Sequence, residues 1–297
     1  MGFLDWLFHG RGHGVDELAR RLKIEPDALA RIEPVYREFS LPKRSGGKRT
    51  IEAPVPELKS VQRQVLRRLL RRLRAHPAAT GFEPAASIVR NARQHQGRAV
   101  VIRLDVKDFF PSTTAKRLRR YFRRIGWNRP ATALLLRLCT HKGRLPQGAP
   151  TSPRLSNLVN YRIDARLAAM AARLGAVYTR YADDITLSFD HEDHAKIHFV
   201  QRFVRKVFAS EGYVLHQRKK LSIRRRHHRQ MVTGLVVNGR VNLPRPVRRW
   251  LRAVEHRFHT AQSPGPSAPR KRPTLSAQQL EGWRSLQSMI QRQASER

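Results

Sequence analysis

Three aspartates in this chain stand where a metal-dependent chemistry could be built. Asp105 closes the β-patterned run Arg98–Val106, and Asp183-Asp184 fall where two short strand-like runs meet within Val177–Phe189. Two adjacent carboxylates on a tight turn repel each other, so something must keep both ionised. A hard divalent cation does this, and Mg2+ takes one or two carboxylates together with substrate phosphates. A bare Asp-Asp turn is ordinarily just solvated acid. Here the setting argues for more, because 60 Lys+Arg face only 22 Asp+Glu and the pair adjoins Tyr181 and an apolar strand. The single cysteine, Cys139, ends the apolar stretch Ala133–Cys139 and reads as a buried, inert thiol. It leaves no intramolecular disulfide and no cysteine-based zinc cluster.

The elements that must position these acids follow from periodicity. Ile185, Leu187 and Phe189 alternate with Thr186 and Ser188, as in a half-buried strand. Short helices are predicted within residues 1–40, and Leu41–Pro56, with its Gly46-Gly47 pair, reads as a hairpin or loop. Lys59–Arg74 predicts one amphipathic helix, with Val61, Val65, Leu66, Leu69, Leu70 and Leu73 as its stripe and arginines off it. Pro111-Ser112-Thr113-Thr114 is an N-cap cluster for a helix through Lys116–Ile125. Further helices are predicted over Pro130–Thr140, Ser152–Leu174 and Phe199–Ser210, after Pro246 to about Thr260, and over Leu280–Ile290. Asn238-Gly239 is a two-residue hairpin signal between Gly234–Val237 and Val241–Leu243. Ser263–Thr274 is a Pro-rich, basic linker, and no internal repeat is present.

The formal charge of +38 over 297 residues narrows the partner. Such an excess opposes a compact state unless a polyanion sits against it. Nucleic acid is the leading candidate, through counterion release at each neutralised phosphate. An anionic membrane surface is the rival, but no apolar run approaches the ~18 residues of a span. The start, Met1 to Trp6, lacks a signal peptide's basic region and apolar stretch and the serine or threonine of a myristoylation site. The expectation is a soluble, cytoplasmic, nucleic-acid-binding protein with no membrane partner.

Tyr181-Ala182-Asp183-Asp184 resembles the Tyr-x-Asp-Asp box of reverse transcriptases, and Leu104-Asp105-Val106-Lys107-Asp108-Phe109-Phe110 resembles their first catalytic motif. Leu145-Pro146-Gln147-Gly148-Ala149-Pro150-Thr151-Ser152-Pro153 is similar to the motif between those two. All three stand in the family's order and at plausible spacing, and the likeness spans roughly residues 35–245. Gly46-Gly47-Lys48-Arg49 resembles the fingers segment that meets the triphosphate, and Gly212–Leu221 the segment that supplies a lysine near it. Asn91-Ala92-Arg93-Gln94-His95 and Val232-Thr233-Gly234 resemble two stretches of the retron branch of the family.

The resemblance implies an α+β right hand: residues 1–97 as N-terminal helices and fingers, 98–243 as a palm with a small antiparallel sheet backed by helices, and 244–297 as a helical thumb broken at 263–274. It implies RNA-directed DNA synthesis with two Mg2+ ions (Mn2+ substituting) on Asp105, Asp183 and Asp184. Lys48 and Arg49 would clamp the triphosphate, Phe110 would exclude a ribose 2′-hydroxyl, and Gln147 and Gly148 would shape the nucleotide pocket. Lys219 or Lys220 would be the general acid, and Asp108 would be structural or would position backbone. Asn91, His95, Val232, Thr233 and Gly234 would position RNA. The implied partners are dNTPs, a structured noncoding RNA as template and primer, the RNA–DNA hybrid product (msDNA) and an effector protein in antiviral defence. Rival readings are a group II intron, CRISPR-associated or abortive-infection reverse transcriptase, and an inactive RNA-binding protein.

Overall fold

The computed structural model describes residues 12–42, 46–216, 221–262 and 275–295. Its elements pack around three hydrophobic clusters. The first gathers the N-terminal half. Helix α1 (Val15–Leu22) has Asp16 and Glu17 in its first turn and Arg20 and Arg21 in its last, which suits the helix dipole, and it buries Leu18, Ala19 and Leu22. Helix α2 (Pro26–Arg31) starts on a proline and buries Leu29. Strands β1 (Tyr36–Pro42) and β2 (Lys48–Pro54) pair antiparallel from Tyr36↔Pro54 to Pro42↔Lys48. The expected hairpin is therefore there, with a first strand that begins earlier than its proline and glycine signals indicate.

Helix α3 (Pro56–Gln64) continues as a π-helical turn, Val65–Leu69, and a 3-10 turn, Leu70–Arg72. The single regular helix expected over Lys59–Arg74 is thus corrected in both start and geometry. A π turn widens the coil and shifts its phase, so Leu69 and Leu70 are both buried. The buried Arg154 side chain donates from Nε to Leu70 O at 3.3 Å and from Nη2 to Leu73 O, fastening the end of this segment. Helices α5 (Ala115–Arg124), α6 (Arg129–Cys139) and α7 (Ser152–Val159) complete this cluster. Thr114 holds the N-cap position of α5 but makes no side-chain cap bond.

The second cluster surrounds an antiparallel sheet of order β4-β5-β3-β6, made of Ala176–Tyr181, Asp184–Phe189, Val100–Asp105 and Ser222–Arg225. Helices α8 (Tyr161–Arg173) and α9 (His194–Ala209) cover it. The helix expected over Ser152–Leu174 breaks at Asn160 (φ −87°, ψ 6°) between α7 and α8. The buried Asn160 amide donates to Tyr213 Oη at 2.9 Å and accepts from Arg117 Nη2 at 2.9 Å.

The third cluster joins β7 (Met231–Val232) and β8 (Leu235–Val236), α10 (Arg245–Gln262) and α11 (Ala277–Ser295) to α4 (Ile88–Arg93). Arg93 Nη1 donates to Gln293 O at 3.0 Å, so a helix from the first third of the chain is held by the last. The β7–β8 turn is Thr233-Gly234, both with positive φ (47° and 83°), as a type I′ turn requires. The expected Asn238-Gly239 turn lies instead in a longer loop closed by the Val236↔Asn242 bridge. There the Asn238 side chain is engaged by Gln230 N and by the Arg226 and His228 carbonyls, each at 2.8 Å. The linker Ser263–Thr274 lies outside the described residues. Among the described residues no helix is long and apolar enough to cross a membrane.

Candidate active site

Alternation along β3 and β5 brings the acids together. Asp105 and Asp184 are direct Cα partners at the end of the β3–β5 ladder, and Tyr181↔Asp184 closes the β4–β5 hairpin around Ala182-Asp183. Only Ala182 of those two has positive φ (57°), the sign pattern of a type II′ turn, which favours glycine at that place. Neighbours offset that strain. Val106 N–H donates to Asp183 O at 3.0 Å, and Arg180 Nη1 donates to Ala182 O at 3.2 Å. Gly81 backs the turn so closely that a Cβ there would stand 3.1 Å from Ala182 N.

Asp105 and Asp184 face basic side chains of the chain itself. Arg103 Nη2 lies 3.2 Å from Asp184 Oδ1, and His216 Nε2 lies 3.4 Å from Asp105 Oδ1. Three carboxylates at one sheet end form an all-oxygen donor set of the kind hard divalent ions take. Among the described residues, the group of acids and histidines whose ligand atoms all lie within 4.8 Å is a different one, Glu38, Glu52 and His141. Lys142 and Arg144 already pair with its carboxylates at 2.5 Å and 3.2 Å, so its charge is met without an ion.

In front of the acids opens a cleft of about 890 Å³, lined by Asp183, Asp108, Lys48, Arg49, Phe110 and Gln147 among others. Lys48 and Arg49 are exposed at the start of β2. Phe110 is half-buried, its ring 6.2 Å from Phe82, which in turn lies 6.1 Å from Tyr181, so aromatic rings run from the cleft to the Ala182-Asp183 turn. Gly148 has φ 139°, and a Cβ on it would meet Glu52 O at 2.9 Å. Its neighbour Gln147 is bound into β2: Glu52 N donates to Gln147 O at 2.9 Å, and Gln147 N donates to Glu52 Oε2 at 3.3 Å. Asp108 is exposed with φ 46°. Lys219 and Lys220 lie outside the described residues.

Behind the turn sits a polar node that has no local signature in the sequence. Asp164 and Arg180 are fully buried, joined by Nε and Nη2 bonds of 2.8 Å and 2.7 Å to the two carboxylate oxygens. Tyr178 Oη donates to Asp164 at 2.8 Å, and Arg180 Nη1 also reaches Asn157 Oδ1 at 3.1 Å. Burial alone would lower the Arg180 pKa, but the charge and hydrogen bonds of Asp164 outweigh it and keep the guanidinium firmly protonated. Glu52, Phe82, Asp164 and Arg180 were missed because each is a lone residue whose partner is remote in sequence.

The five residues matched to the retron stretches divide by depth. Asn91, His95 and Val232 are buried, with 1%, 0% and 0% exposure, while Thr233 is half-buried and Gly234 exposed at the β7–β8 turn. His95 links two strands, Nδ1 to Ser188 Oγ at 2.7 Å and Nε2 to Thr179 Oγ1 at 2.8 Å. Burial, with the Arg98 charge adding to it, lowers its pKa to about 3, so the ring is neutral. Asn91 Oδ1 accepts from Thr80 Oγ1 at 2.8 Å, and Thr233 Oγ1 donates to Ile88 O at 2.9 Å. The side chains of Asn91, His95 and Val232 therefore meet protein, not solvent. Burial likewise pushes the Cys139 thiol up to about 12, in keeping with an inert residue.

Comparison with known proteins bears on this geometry. The family described as reverse transcriptase (RNA-dependent DNA polymerase) matches residues 41–229. The retron Mx162 reverse transcriptase of Myxococcus xanthus is 41% identical over 253 residues, covering 74% of this chain and 52% of its own length. The retron Mx65 reverse transcriptase of the same organism is 41% identical over 239 residues, covering 74% and 55%. The retron Ec86 reverse transcriptase of Escherichia coli is 38% identical over 231 residues, covering 77% and 71%. The chain thus spans about half the length of the two Myxococcus relatives. The mixed helices and antiparallel sheet, with the acids at one sheet end under a basic hairpin, are the right-hand polymerase fold. The chain belongs to the reverse transcriptase family and, within it, to the retron reverse transcriptases.

Proposed function

We propose that the chain is an RNA-directed DNA polymerase that copies part of a structured noncoding RNA into DNA, primed from a 2′-hydroxyl of that RNA, within a retron antiviral defence system. The observation that carries the reading is that Asp183 lines the cleft together with Lys48, Arg49, Phe110 and Gln147, while Asp105 and Asp184 are paired at the adjoining end of the β3–β5 ladder. Residues 1–97 then serve as N-terminal helices and fingers, 98–243 as palm and 244–297 as thumb, with α4 tying the first to the last.

Each side chain has a task in that reaction. Asp105, Asp183 and Asp184 would hold two divalent ions, Mg2+ or Mn2+, which when bound supply Lewis-acid stabilisation of the attacking and leaving oxygens. Lys48 and Arg49 neutralise the triphosphate, as preorganised cations do where charge develops. Phe110 packs against the sugar and leaves no room for a 2′-hydroxyl. Glu52 fixes the Gln147-Gly148 backbone, and that backbone supports the pairing nucleotide. Arg180 and Asp164 hold the catalytic turn from behind. One of Lys219 and Lys220 protonates the departing pyrophosphate. Asn91, His95 and Val232 act from within the protein, and the Thr233-Gly234 turn, held by Thr233 Oγ1 on Ile88 O, is the part of that region open to RNA. RNA shape and 2′-hydroxyls can select the priming site without much reading of bases.

The test is nuclease-free reconstitution with the RNA that copurifies with the full chain, dNTPs and Mg2+. The expected product is DNA whose 5′ end keeps a ribonucleotide removable by debranching enzyme. A linear DNA extended from an ordinary 3′-hydroxyl primer would point to another branch of the family, and no DNA at all would end the reading.

A further inference from the structure

A second concave site lies apart from the nucleotide cleft and shares none of its lining residues. It is a pocket of about 160 Å³ between α5 and the first turn of α8, lined by Arg117, Arg120, Arg124, Arg162, Tyr121 and Glu211 among others. Arg117, Arg120 and Arg124 recur at spacings of three and four, so α5 presents them on one face. Arg162 adds a fourth guanidinium from α8, while Glu211 is the one acid in the lining.

The four arginines are held differently. Arg117 is 6% exposed, with Nη2 on Asn160 Oδ1 at 2.9 Å and 3.2 Å from Glu211, and its guanidinium lies 4.6 Å over the Tyr213 ring. Its Nη1 has no hydrogen-bond partner among the described residues. Arg120 reaches Glu211 only at 3.9 Å. Arg124 lies over the Tyr121 ring at 5.6 Å, and neither it nor Arg162 has an acidic partner among the described residues. Four guanidinium groups against one carboxylate leave an uncompensated positive pocket, and like charges gathered this way cost free energy until an anion joins them. Guanidinium forks suit phosphate oxygens, and a fixed Arg117 loses little further freedom on binding one.

The geometry points to this pocket as a seat for a backbone phosphate of the RNA, outside the nucleotide cleft. It rests on the RNA-binding reading above and adds to it a second place where the RNA touches the protein. The occupant is a phosphodiester of RNA; a free phosphate is the other source of the same chemistry.

The test uses the full chain with charge removed at the two exposed, acid-free arginines, R124Q together with R162Q. The control removes two exposed arginines elsewhere, R20Q together with R31Q. Binding of the copurifying RNA, transcribed in vitro, is measured across a salt series. The pocket pair should weaken binding about tenfold and flatten the log–log salt slope by about one, the contribution of roughly one neutralised phosphate, while the control does neither. Equal effects from both pairs would reduce the pocket to diffuse charge and overturn the proposal. Unchanged RNA binding would also overturn it, and a thermal shift by inorganic phosphate that the pocket pair abolishes would then identify a free-phosphate site. In the unmodified chain, RNA should protect amides of 115–124 and 159–163 from hydrogen exchange, and no protection there would count against the seat even if the variants misfold. Failure of the unmodified chain to bind RNA would sink the proposed function itself, a result distinct from failure of the pocket variants alone.

Discussion

Around one hairpin the molecule keeps aspartates in two opposite environments. Asp164 is fully buried and satisfied by fixed partners: Arg180 on both oxygens and Tyr178 on one of them. Asp105 and Asp184 lie on the other side of the Ala182-Asp183 turn, with side chains 13% and 32% exposed, and face Arg103 and His216 at 3.2–3.4 Å. The first arrangement is structural, because a buried carboxylate can remain charged only beside a partner that never leaves. The second leaves room to exchange a protein cation for a metal ion. The two meet at Arg180, which grips Asp164 with one edge and the Ala182 carbonyl with Nη1. A buried pair thus braces the turn that carries Asp183 and leads into Asp184.

The largest effect expected from breaking that contrast comes at the buried end. Asp164→Ala leaves Arg180 charged and unpaired in the core and should cost ~3–5 kcal/mol of stability. Chemical denaturation checks this, and a loss below ~1 kcal/mol would mean the pair is not the anchor described. At the exposed end, Phe110→Ala should keep the fold and relax sugar selection, shifting the ratio of ribo- to deoxyribonucleotide incorporation by ~10–100-fold. Matched single-nucleotide kinetics read it, and an unchanged ratio with normal deoxyribonucleotide use would make Phe110 mere packing.

A subtler effect lies in the sheet that joins the two ends. The folded His95 ring has a pKa of about 3 against an ordinary 6.5, so between those values the unfolded chain takes up a proton that the folded chain refuses. Its contribution is complete above about pH 6.5 and drains away as pH falls toward 3, by at most ~1.4 kcal/mol per pH unit. His95→Gln should flatten the stability profile over that window relative to the unmodified chain; parallel profiles would exclude the ring as their source.

Much of the exposed end could be read from the residues, and little of the buried end. Asp105 and Asp183-Asp184 announce themselves by type, spacing and flanking alternation, and Ile185, Leu187 and Phe189 place the strand that carries them. Asp164 carries no local pattern, since it looks like any polar residue of an amphipathic helix until Arg180 folds against it. Glu52 is similar, because its partner Gln147 is remote in sequence and only the fold opposes them. The break at Asn160 and the π turn at Val65–Leu69 also escape periodicity, for both are set by tertiary bonds and packing. Thr233-Gly234 was overlooked as a turn because threonine seldom takes positive φ, whereas Asn238-Gly239 has the commoner turn residues.

On this reading the half-buried carboxylates serve chemistry while the fully buried one serves the fold. The most direct measurement is Asp183→Asn, assayed for thermal unfolding, RNA binding and DNA synthesis on the same preparation. Unfolding and RNA binding should stay close to those of the unmodified chain, with synthesis down by orders of magnitude, since losing one metal ligand removes several kcal/mol of transition-state stabilisation. Substantial DNA synthesis by the folded variant would contradict that reading.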